Sequence, residues 1–168
     1  MPLLTDIARR KKINYFLNSI PKSASILEIG AGSGWVGTYL KQSGYSNYVG
    51  MDIQGTADVV GDIKNIDSLP FKPKQFDVII AFEVIEHVEL LEECRYFLKD
   101  GGFLMLTTPL PEMDWLCQLF EKIGLNQKRT SPHCNLINIK NLSGFKTEKY
   151  CIVGFMGQWG VYRRTLGS

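Results

Sequence analysis

Ile26-Leu27-Glu28-Ile29-Gly30-Ala31-Gly32-Ser33-Gly34 is an apolar run broken by one acid and followed by three glycines that alternate with small residues. A short apolar run of this kind reads as a parallel strand buried on both faces. Glycines directly after it let the backbone turn sharply with no Cβ between the chain and a ligand. Residues 35–41 then read as a helix whose N-terminus presents unsatisfied N–H groups and the positive end of its dipole to that ligand. Strand, glycine turn and helix together mark a site for a nucleotide-type cofactor.

Two ligand classes compete for this turn. Gly32-Ser33-Gly34-Trp35-Val36-Gly37 fits the Gly-x-Gly-x-x-Gly dinucleotide pattern, and Asp52 lies far enough downstream to bind a ribose. Glu28 argues for the other class, because a carboxylate beside the turn repels a pyrophosphate and attracts a cation. S-adenosylmethionine carries a sulfonium and an ammonium but no phosphate. Glu28 near its amino-acid end and Asp52 on its ribose hydroxyls are electrostatically consistent with each other.

Outward from this unit, strands and helices alternate, which argues for a parallel sheet covered on both faces. The pattern predicts an opening helix over 5–19 stopped by Pro21, a strand over 26–29, a helix over 35–42 and a strand over 48–52. It continues with a short strand near 59–60, a helical turn near 66–69, a strand over 76–82, a helix over 84–98 and a strand over 102–107. Residues 111–123 read as helical, and the runs 150–155 and 159–163 as an antiparallel hairpin closing the sheet.

The length suits one domain, 1–168, able to bury its own core. Cys94, Cys117, Cys134 and Cys151 are scattered without metal-ligand spacing and read as reduced thiols. No stretch approaches the roughly 20 apolar residues that cross a bilayer, and no signal segment is visible. The expectation is a soluble, cytoplasmic protein. A net charge of +2 gives no strong pull toward nucleic acid. The run Arg9-Arg10-Lys11-Lys12 reads first as a solvated helix face, with contact to a substrate or acidic partner as the alternative.

Six motifs in order carry a family resemblance: Leu27 to Gly34, Gly50-Met51-Asp52, Gly61-Asp62-Ile63 with Leu69-Pro70-Phe71, Phe76-Asp77-Val78-Ile79-Ile80, Glu83-Val84-Ile85-Glu86-His87-Val88 and Leu98-Lys99-Asp100-Gly101-Gly102. The chain resembles the class I S-adenosylmethionine-dependent methyltransferases over about residues 20–110. The resemblance implies an α/β, Rossmann-like, doubly wound sheet of seven mostly parallel strands ending in the antiparallel hairpin. It implies S-adenosylmethionine as cofactor and S-adenosylhomocysteine as product. By the same resemblance Gly30, Ala31, Gly32 and Gly34 admit the cofactor to the backbone, and Glu28 holds the loop and the methionine amino group. Asp52 takes the ribose hydroxyls, Asp62 the adenine amine, Ile53 and Ile63 the faces of the ring, and Phe82 and Glu83 lie beneath the methionine part.

Methyl transfer from a sulfonium is an in-line displacement on an activated group, so alignment and exclusion of water carry much of the rate. An acceptor hydroxyl still gains from a base, and His133, in a segment that passes over the active site in this family, is the catalytic candidate. No metal is the favoured reading. The alternative is that Glu83, Glu86 and His87, at i, i+3 and i+4 of a helix starting near 83, bind a divalent ion with His133 as fourth ligand. Residues 3–20 and 110–141 are the candidate covers of the site, with 1–20 forming the N-terminal helix of the domain. Met113, Trp115, Phe120 and Trp159 could form an apolar acceptor wall, although Leu116, Leu119, Phe120 and Ile123 read more simply as a core stripe. The expected activity is O-methylation of a small molecule, sugar or lipid-linked intermediate. RNA or protein methylation, and a non-catalytic S-adenosylmethionine-binding module, are the alternatives.

Overall fold

Strand β1 (Ile26–Ile29) is buried at every position, which its apolar run requires and its place in the sheet explains. In this computed structural model, which describes residues 3–113, 135–154 and 156–165, β1 pairs in parallel with β2 (Tyr48–Asp52) on one side and β4 (Phe76–Phe82) on the other. The remaining strands are β3 (Val59–Val60), β5 (Leu98–Pro109), β6 (Phe145–Val153) and β7 (Gly157–Arg164). They form one seven-stranded sheet in the order β3-β2-β1-β4-β5-β7-β6. β7 runs antiparallel to both of its neighbours, so six strands point one way and β7 the other. The α/β sheet with its antiparallel C-terminal hairpin is the one expected.

Alternation along the strands divides the core between the two faces of the sheet. Leu27, Ile29, Ile79 and Ala81 join a cluster with Phe97 and Tyr162 on one face. Ile26, Val78 and Ile80 join Phe16, Leu40 and Trp159 on the other. Helix α1 (Leu3–Tyr15) and helix α2 (Trp35–Gln42) belong to the second face, and α3 (Leu91–Phe97) to the first. The connections from β2 to β3 and from β3 to β4 hold no α-helix, only a 3-10 turn at Ile66–Ser68. The sheet edge beside the glycine loop is therefore thinly covered.

The helix expected over 84–98 is confined to Leu91–Phe97. Asn135 explains the loss: its backbone N–H donates to the Glu86 carbonyl at 2.9 Å and its side chain to the Ile85 carbonyl at 2.9 Å. Those carbonyls would otherwise accept the i+4 N–H groups of a helix. Glu83, at φ 57, also starts the segment in a left-handed conformation that no helix continues. The opening helix stops at Tyr15 and resumes as a 3-10 turn, Leu17–Ser19, because Ile20 is extended ahead of Pro21. β5 starts earlier than expected, pairing Leu98 with Phe76 before a register shift brings Phe103 opposite Val78. Of the helix expected over 111–123 only a 3-10 turn, Pro111–Met113, falls within the described residues.

Cys94 is buried and Cys151 half-buried, both as thiols; Cys117 and Cys134 lie outside the described residues. Among the described residues, no helix is long and apolar enough to cross a membrane.

Candidate cofactor and acceptor site

The glycine loop is tied to β2 along its length. Gly30 and Ala31 N–H groups both donate to the Met51 carbonyl, at 2.9 and 3.0 Å. The Gly32 N–H donates to Asp52 Oδ2 at 2.8 Å. Gly30, Gly32 and Gly34 have φ of 74°, 48° and 69°, values that disfavour any side chain. Their surroundings differ. A Cβ on Gly30 would stand 2.5 Å from Val84 Cγ2, so this glycine lets the segment after β4 pack against the loop. A Cβ on Gly34 would meet nothing within 4 Å, and one on Gly32 only the Gly30 carbonyl at 3.9 Å. These two border open space, a cradle in which backbone can approach a ligand. A cleft of about 170 Å³ adjoins the loop, lined also by Lys41, Tyr48 and Asp58.

Glu28 sits beneath the loop and is only 3% exposed. Its carboxylate accepts a hydrogen bond from the Tyr48 hydroxyl. Burial pushes the Glu28 carboxyl up to about 7, the charges of Asp52 and Asp58 push the same way, and the Tyr48 bond opposes them. Asp52 is half-buried at the end of β2. Next to it Ile53 is 69% exposed, whereas Ile63 is packed in the core. The expected adenine sandwich thus has one face in solvent and the other within the hydrophobic cluster. Asp62 Oδ1 accepts from the Lys64 N–H at 2.9 Å, an Asx turn after β3.

A second polar cluster lies at the C-terminal tips of β4 and β5. Glu83 Oε1 accepts hydrogen bonds from Lys12 Nζ at 2.9 Å and from Thr107 Oγ1 at 2.8 Å, while Lys12 also reaches Thr107 Oγ1 at 3.1 Å. The Lys12 ammonium stands 5.0 Å from the Phe82 ring centre, and that ring stacks with Trp35, over which Arg9 lies at 5.6 Å. The basic run of α1 is therefore divided: Arg9 and Lys12, one turn apart, face the site, and Arg10 and Lys11 face solvent. Deeper, Glu86 is buried and accepts from Thr108 Oγ1 at 3.0 Å. Burial, then the Glu83 charge, pushes its carboxyl up to about 8.

Residues 83–90 do not place Glu83, Glu86 and His87 on a helix face, and His133 lies outside the described residues. Among the described residues, no group of three or more His, Cys, Asp or Glu side chains is placed to hold a metal ion. Trp115 and Phe120 also fall outside them, and Trp159 packs in the core beneath α1. Reading the chain in order missed Tyr48, Thr107 and Thr108. Lys12 had a signal, since Arg9 and Lys12 are spaced to share a helix face.

A protein-family model described as a methyltransferase domain matches residues 6–145. The chain belongs to the methyltransferase domain family. The family and the fold are those that the motifs led us to expect. It is 28% identical over 127 residues to an Arabidopsis thaliana tRNA (carboxymethyluridine(34)-5-O)-methyltransferase, a match that covers 66% of this chain and 30% of that protein. The chain thus spans less than a third of this curated relative. Its fold resembles that of a Pyrococcus horikoshii OT3 protein with a TM-score of 0.64 at 20% identity, covering 94% of this chain and 90% of the other. It also resembles the Burkholderia thailandensis 1,6-didemethyltoxoflavin-N1-methyltransferase, solved with 1,6-didemethyltoxoflavin and S-adenosylhomocysteine. There the TM-score is 0.65 at 13% identity, over 95% and 79% of the two chains.

Proposed function

We propose that this methyltransferase carries the methyl group to an oxygen of a small molecule, sugar or lipid-linked intermediate. The observation that carries the reading is the Lys12–Glu83–Thr107 corner at the tips of β4 and β5, where the Glu83 side chain is 48% exposed. A carboxylate fixed on one oxygen by an ammonium and a hydroxyl is suited to accept a hydrogen bond from an acceptor hydroxyl and to orient it. The cofactor, when bound, supplies an activated methyl group on a sulfonium.

The residues proposed to hold the cofactor are Gly30, Ala31, Gly32 and Gly34 through the loop backbone, Asp52 toward the ribose, Ile53, Asp62 and Ile63 toward the base, and Glu28, Phe82 and Glu83 toward the methionine end. The open space over Gly32 and Gly34 fits that assignment. His133 stays in the proposal as a basic contact to the acceptor, and His133→Ala should lower turnover at saturating cofactor.

A second reading is methylation of tRNA, favoured by the Arabidopsis thaliana relative. The inward turn of Arg9 and Lys12 weakens it, since it removes two cations from any phosphate-binding face of α1. Incubation with methyl-labelled S-adenosylmethionine and, separately, a low-molecular-mass metabolite pool, a glycan pool and bulk tRNA tests both. Label in an O-methyl group of the small-molecule or glycan pool supports the first reading; label in tRNA alone overturns it.

A further inference from the structure

We propose that Tyr48 is a positioning residue for the cofactor: it holds the buried Glu28 carboxylate beneath the glycine loop, and through it makes S-adenosylmethionine binding sensitive to pH. This rests on S-adenosylmethionine being the ligand of that loop.

The arrangement is built from three elements. Tyr48 opens β2, and its ring crosses the face of the sheet toward α2. Both neighbouring positions are glycine: a Cβ on Gly37 of α2 would stand 2.7 Å from the ring, and one on Gly50 of β2 would stand 2.6 Å from the hydroxyl. The two glycines vacate the path along which the hydroxyl reaches Glu28. Glu28 itself is held by pairing with Gly50 on one side and Ile80 on the other, so its carboxyl cannot move to a different partner without disturbing β1. Two residues further on, the chain enters the loop at Gly30.

Charge completes the case. Asp52 and Asp58 both raise the energy of an ionised Glu28. Lys41 of α2 lies over the Tyr48 ring at 5.3 Å and pairs with Asp58 at 3.4 Å. Asp58 also accepts the Gly50 N–H at 2.9 Å. Of the groups that act on the Glu28 charge, Asp52 and Asp58 oppose it and the Tyr48 hydroxyl supports it. Burial holds the carboxyl near 7 even so. A cationic ligand above the loop favours the ionised form, and the ionised form favours the ligand, so affinity rises as pH climbs through that value. Removing the hydroxyl removes a bond that lowers the Glu28 titration point, and the rise moves to higher pH.

The test is calorimetric titration of the intact chain with S-adenosylmethionine, and with S-adenosylhomocysteine as a non-reacting control, from pH 6 to about 8.5. The wild type should bind more tightly as pH rises. Tyr48→Phe should weaken binding about ten-fold near neutral pH and shift the pH profile upward by about one unit. Glu28→Gln should flatten the profile, and adding Tyr48→Phe to it should cause little further loss. If Tyr48→Phe folds and binds with the wild-type affinity and profile, the inference is wrong. Should that variant not fold, an unchanged pH profile in Glu28→Gln overturns the inference equally. Absence of binding by the wild type would instead strike at the cofactor assignment.

Discussion

Lys12 and Glu83 are 71 positions apart in the chain and 2.9 Å apart in the fold. Their ion pair brings α1 to the tip of β4, and Thr107 of β5 closes the corner. The Lys12 side chain is 14% exposed and lies against the Phe82 ring, so its aliphatic stem and its charge are both used. Glu83 adopts a left-handed backbone conformation to present its carboxylate there. Such strain in a non-glycine residue persists when neighbours enforce it and is common at functional sites.

Lys12→Met keeps the stem and deletes the charge. Because Glu83 is half exposed, the loss of global stability should stay under about 1 kcal/mol. Turnover should fall by about ten-fold or more while the affinity for S-adenosylmethionine changes by less than about three-fold. Steady-state kinetics beside calorimetry would show this; equal losses in both would assign Lys12 to the cofactor instead.

Asp52→Ala removes the acceptor of the Gly32 N–H and the carboxylate assigned to the ribose. Affinity for S-adenosylmethionine should drop by about 1.5–3 kcal/mol, the range for hydrogen bonds to a charged group. A Kd within error of the wild type would remove Asp52 from the site.

The glycines should separate into two kinds. Gly32→Val places a branched side chain in open space at φ 48, so binding should vanish while the unfolding transition moves little beyond the backbone strain of about 1–2 kcal/mol. Gly30→Ala drives a methyl into Val84 and should lower the melting temperature more than Gly32→Val does. Thermal unfolding of the two variants side by side checks the ordering.

Glu28 and Glu86 make stability depend on pH. Their carboxyls are raised in the folded chain to about 7 and about 8 from an ordinary 4.5. Below 4.5 both are protonated whether folded or unfolded. Between 4.5 and about 8 the unfolded chain releases these protons and the folded chain retains them, so stability falls as pH rises. Asp77 works oppositely. Despite burial, bonds from Lys99 and Ser25 hold it below its usual 3.8, and the stability it contributes is lost only in stronger acid. Urea unfolding at pH 5 should therefore give a higher midpoint than at pH 9. Glu86→Gln should reduce the difference.

Much of this was legible from local pattern. The apolar run at β1, the glycines after it and the N-terminus of α2 follow from side-chain size and period alone, and they place the loop and Asp52 together. The same reasoning failed for residues 83–90, whose apolar spacing resembles a helix but whose carbonyls are taken by Asn135. It also read the four cations of the 9–12 run together, first as a solvated face and alternatively as a contact to a substrate or acidic partner, where the fold turns Arg9 and Lys12 inward and leaves Arg10 and Lys11 exposed.

By itself the sequence determined the order of strands and helices, the glycine turn and the acids around it, because these depend on backbone freedom and on polarity repeated over a few residues. Only the tertiary structure decided that Tyr48 bonds Glu28, that Lys12 meets Glu83 and Thr107, and that Glu86 lies buried under Thr108. Each of those contacts joins positions at least 20 residues apart. Hydrogen bonds and desolvation act through space, and only the pairing of strands brings such groups within reach.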